Sequence, residues 1–153
     1  MKVRKSTTRS GRSMSISSSE QSIYDQEYYI YHLELLAAFS AQIQSLPPFN
    51  SEHQSEDDQE FLAALAELQQ QPQGINYLEL GQVLMCRVVG SYPHLMPLLY
   101  RDLLWFFGGD CLHFMPDEEI AVFQRLDEQR EEAKEQRVPF SYKEARAKSM
   151  GLH

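Results

Sequence analysis

From Tyr28 onward, apolar side chains return every three or four positions: Tyr28, His32, Leu35, Leu36, Phe39, Ile43 and Leu46. That period places them on one helical face. The spacing predicts a first helix over residues 20–46, opened by Ser18 or Ser19 and stopped at Pro47 and Pro48. A second helix follows a linker. Ser55 caps it, Glu56, Asp57 and Asp58 complement its positive end, and Phe61, Leu62, Leu65 and Leu68 form its buried face. A third helix over residues 77–89 takes Asn76 and Glu79 as its capping pair and buries Leu80, Val83, Leu84 and Val88.

The fourth segment is different. From residue 98 to 107 only Arg101 and Asp102 are charged, with Pro97 in the first turn. A helix apolar nearly all round must be buried in a core or against a partner. Gly108 and Gly109 end it in left-handed backbone. Pro116 and the acids Asp117, Glu118 and Glu119 open a fifth helix whose stripe is Ile120, Phe123 and Leu126. Beyond Asp127 that helix reads as polar all round, so its second half is expected to project into solvent until Pro139 breaks it. Ser141 and Glu144 cap a last short helix over residues 142–150. The pattern therefore predicts an all-α domain spanning residues 20–150, an irregular bundle of five principal helices with a short sixth.

Composition adds an arm to this picture. Residues 1–19 carry Lys2, Arg4, Lys5, Arg9 and Arg12, no acid and many Ser and Thr. Such a segment buries too little apolar surface to offset its ordering entropy, so it is read as a disordered basic arm. Its composition also fits a transit peptide or a phosphate-binding tether. The net charge is −8, so taking away the arm's +5 leaves the body at −13. An acidic body disfavours nucleic acid and anionic lipid, except through the arm. Two cysteines, Cys86 and Cys111, make no disulfide framework, which suggests a reducing cytoplasm. The most apolar region, residues 88–115, is interrupted by glycines, prolines and charges and does not read as a membrane span.

Motif chemistry is sparse. No phosphate-binding glycine loop, nucleophile elbow, paired-histidine zinc helix or Cys-x-x-Cys occurs, so no catalytic residue, metal ligand or cofactor is assigned. His32 reads as a core histidine, since Glu27 and Glu34 miss the Glu-x-x-His spacing of a di-iron helix. Arg87, inside an apolar run, is expected to close an internal ion pair. The first helix is crowded with tyrosine, at positions 24, 28, 29 and 31, which cannot all share one face. Tyr supplies contact area with a polar tip, as interfaces favour.

The reading is a non-catalytic cytoplasmic interaction or regulatory module. It binds a protein partner or a second copy through Tyr24, Tyr28, Tyr31, Trp105 and Phe106. The alternative is a small-ligand or metal-binding protein, possible as an enzyme, with a pocket at the 108–113 hinge around Asp110, Cys111 and His113.

Overall fold

The computed structural model describes residues 18–70 and 74–149. Every regular element among them is helical, so the chain is all-α. The elements are α1 (Ser18–Ile43), α2 (Glu56–Gln70), α3 (Tyr77–Ser91), a 3-10 turn (Pro93–Leu98), α4 (Arg101–Phe107), a second 3-10 turn (Gly109–Phe114), α5 (Asp117–Gln136) and α6 (Tyr142–Ser149). The arm's five basic residues lie outside the described residues, as does position 150 at the end of the expected last helix. No helix among the described residues is long and apolar enough to cross a membrane.

The described chain forms two compact units: residues up to Tyr31 with those from Pro116 on, and residues 32–115.

In the 32–115 unit, the second half of α1 buries His32, Leu36, Phe39 and Ile43, the face set by its three- and four-residue spacing. From α2, Phe61, Leu65 and Leu68 are buried, while Leu62 lies at the margin. Ser55 Oγ accepts the Asp58 N–H at 3.1 Å, half of the expected capping box. The Asp58 carboxylate reaches back to Ser55 as the box requires and also accepts the Tyr92 hydroxyl at 2.8 Å. The rings of Phe49, Phe61 and Tyr92 meet pairwise at 5.0–5.6 Å, gathering three chain segments into one cluster.

Several expectations need correction here. Asn76 flanks α3 but its side chain makes no capping bond. Val83 is 58% exposed rather than buried. The buried stripe of α3 instead runs through Tyr77, Gly81, Leu84, Met85 and Val88, rotated because Gly81 counts as a core position. A Cβ there would stand 2.1 Å from the Phe107 ring, so glycine is what admits that ring. Arg87 does not reach a carboxylate as expected. It donates to the Asp57 main-chain oxygen at 3.1 Å and stands 5.5 Å from the Phe61 ring centre, where its charge still acts on Asp58.

The apolar segment does not form one helix from residue 98. Pro93 and Pro97, which lack the N–H that an α-helix interior needs, sit in the 3-10 turn, and Leu99 and Tyr100 are extended. Helix α4 therefore begins at Arg101 and is seven residues long, with everything from Asp102 to Phe107 buried.

The other unit joins the first half of α1 to α5 and α6. Phe123 and Leu126 are buried as their spacing requires. The second half of α5 is not polar all round in practice: Ala133 and Lys134 are buried, and the Arg130 side chain is only 12% exposed. The helix ends in left-handed backbone at Arg137 (φ 57°), two residues before Pro139. The Val138 N–H reaches back to the Ala133 carbonyl at 3.1 Å and satisfies that end.

Candidate functional site

The tyrosine-rich half of α1 is built into its own unit. Tyr28 is buried, with the Tyr142 ring edge-on at 5.1 Å and the Arg130 guanidinium 4.1 Å from its ring centre. Tyr31, half-buried, meets Tyr142 at 5.3 Å. Tyr24, also half-buried, donates its hydroxyl to the Val138 carbonyl at 2.8 Å.

Charges complete the cluster. Asp25 receives Arg130 at 2.7 Å and Lys134 at 3.1 Å. Glu27 accepts the Tyr142 N–H at 3.0 Å, which fixes the start of α6. Burial alone would make the Arg130 guanidinium easier to deprotonate, but Asp127, Tyr28 and Asp25 outweigh it and hold its pKa above the usual value.

Beside this cluster lies a groove of about 440 Å³ lined by Ile23, Tyr24, Glu27, Arg137, Pro139 and Phe140. Apolar side chains of the same unit remain in solvent: Ile23, which lines the groove, is 65% exposed, Ile30 52% and Val138 40%. A smaller hollow of about 290 Å³ lies between the end of α2 and the start of α3, lined by Glu67, Leu68, Ile75 and Tyr77 among others.

At the 108–113 hinge, Trp105 and Phe106 are buried, and Phe106 stacks flat on His32 at 4.6 Å. Gly108 (φ 68°, ψ −149°) takes an extended positive-φ backbone that side chains resist, rather than the expected left-handed cap, and Gly109 follows at φ 59°. The Gln82 side chain lies against Gly109 and donates to the Phe107 carbonyl at 2.9 Å, closing the end of α4. Asp110 and His113 are exposed, whereas Cys111 is buried with its Sγ 3.8 Å from the Gln82 carbonyl. Burial, then the neighbouring Cys86 thiol, pushes the Cys111 pKa up to about 12. Among the described residues, no three His, Cys, Asp or Glu side chains gather as a metal would require.

The structure thus brings Tyr24, Tyr28 and Tyr31 into one unit and places Trp105 and Phe106 in the core of the other. It buries Cys111 while its neighbours Asp110 and His113 stay exposed. Sequence reasoning missed Asp25, Arg130, Lys134, Gly81 and Gln82. A signal existed for Arg130 and Lys134: they continue the Phe123–Leu126 stripe by steps of four. Long basic side chains can take such positions when their stems pack and their heads are paired.

A family model described as PA2817-like matches residues 24–153. The chain belongs to the PA2817-like family. The PA2817-like match takes in Tyr24, Tyr28, Tyr31, both cysteines and all of the hinge. No curated protein and no solved structure matches the chain.

Proposed function

We propose that this PA2817-like chain is a non-catalytic interaction module of the cytoplasm that associates with a second copy of itself through α1. The carrying observation is the exposed pair Ile23 and Ile30 on α1, with Ile23 lining the groove that Pro139 and Phe140 also line. The two isoleucines are seven residues apart, the repeat that keeps a seam facing a partner helix. Glu27 and Arg137 line the same groove, so each copy offers one acid and one base. A two-fold contact uses such a surface on both sides at once, pairing the acid of one copy with the base of the other. The tyrosines support this face from beneath: Tyr24 ties Val138 to α1, and Tyr28 and Tyr31 seat α6 through Tyr142. Two free cysteines suit a reducing compartment.

Sedimentation of the full chain across the micromolar range tests this. The native protein is expected to sediment as a dimer, and the I23D/I30D double variant as a monomer with unchanged helicity. A native chain that stays monomeric throughout, or a double variant that still dimerises, overturns the reading.

A further inference from the structure

Cysteine chemistry remains outside the interaction reading. Cys86 lies on α3 and Cys111 in the 3-10 turn Gly109–Phe114, within one compact unit. The Cys111 Sγ stands 3.8 Å from the Gln82 carbonyl. In an α-helix that carbonyl also receives the N–H four residues on, which here belongs to Cys86. Both cysteines thus address one carbonyl, which sets the Cys86 main chain beside the Cys111 sulfur, and the Cys86 thiol acts on Cys111. Both are reduced, Cys86 half-buried and Cys111 buried. Accessibility thus assigns different parts to the two sulfurs.

We propose that Cys86 and Cys111 are a dithiol pair that a hydroperoxide converts reversibly to an intrachain disulfide. The Cys86 thiolate attacks the terminal oxygen of the hydroperoxide. A sulfur–oxygen bond forms, the oxygen–oxygen bond breaks, and the alcohol (water, for hydrogen peroxide) departs with a proton. Cys86 is then a sulfenic acid. The Cys111 sulfur attacks that sulfur; the disulfide bond forms, the sulfur–oxygen bond breaks, and water leaves with the Cys111 proton. Two thiols lose two electrons and the hydroperoxide gains them. Burial, then the Cys86 thiol beside it, holds Cys111 protonated. The disulfide would tie the turn after Gly108 to α3, where Gln82 already closes the end of α4.

The test uses the reduced full chain and hydrogen peroxide. Intact mass is expected to fall by two hydrogens per chain, peptide mapping to recover a Cys86–Cys111 link, and dithiothreitol to restore both thiols. Cys111→Ser is expected to hold a dimedone-trappable sulfenic acid on Cys86, and Cys86→Ser to leave Cys111 unmodified. If either variant fails to fold, the native peptide map still decides. Two intact thiols after peroxide, sulfinic acid on Cys86 without a link, or links only between chains overturns the proposal. None of these readouts depends on Ile23, Ile30, Glu27 or Arg137, so self-association can fail without affecting this result.

Discussion

Gly81 and Gly90 share a helix, and space alone gives them opposite roles. A methyl group at Gly81 collides with the Phe107 ring, whereas at Gly90 nothing lies within 4 Å. Gly81→Ala is expected to lower unfolding free energy by about 1–3 kcal/mol, the usual cost of forcing a packed ring to move. Gly90→Ala should raise it by about 0.5 kcal/mol through the restricted unfolded chain. Urea denaturation of the two variants checks both signs. Tyr92 and Asp58 give a second residue-scale outcome. Burial, then the hydrogen bond to Asp58, raises the Tyr92 hydroxyl to about 12, while that bond lowers the Asp58 carboxyl below its ordinary 3.8. Native Tyr92 keeps its proton after the unfolded chain has released its own, so its contribution is full below pH 10 and is lost between 10 and about 12. For Asp58 the contribution is present above 3.8 and is lost as pH falls through its lowered native value. Tyr92→Phe should therefore flatten part of the alkaline decline in urea midpoints between pH 10 and 12 and weaken the protein at neutral pH.

Among the elements, α5 departs most from its polar appearance. Its Arg130 holds Asp127 one turn back on its own helix and, through folding alone, also meets the Tyr28 ring and Asp25. Arg130→Ala is expected to cost about 1–3 kcal/mol, below the full penalty for breaking a buried pair because Asp25 remains 47% exposed. Arg130→Met should recover part of the loss by keeping a side chain against Tyr28. Chemical denaturation of the two variants separates packing from charge. Helix α4 teaches the complementary lesson. Its apolar run was legible, and so was its stop at Gly108, but its start was not. Two prolines four residues apart suit either a helix entry or a 3-10 turn, and neighbours choose between them.

For the whole molecule, periodic spacing determined the all-α class and most buried positions on α1, α2 and the first half of α5, because one apolar face must leave water whatever the neighbours are. Proline, glycine and serine chemistry marked most helix ends, since these residues act on the backbone locally. The charge split between arm and body is equally a property of the chain alone. The surplus of aromatic surface around Trp105 was visible too, but its destination was not: Trp105, Phe106 and Phe107 are covered within the chain itself. What stays exposed on α1 is aliphatic, Ile23 and Ile30, and the tyrosines brace the unit that carries them. Tertiary structure also decided that a glycine would serve as a core position, that an Arg and a Lys would continue an apolar stripe, and that the Cys111 sulfur would settle on the Gln82 carbonyl of the helix that carries Cys86. The reason is physical: spacing along a helix says which side chains share a face, whereas a ring's cavity, a buried charge's partner and a thiol's neighbour come from distant segments.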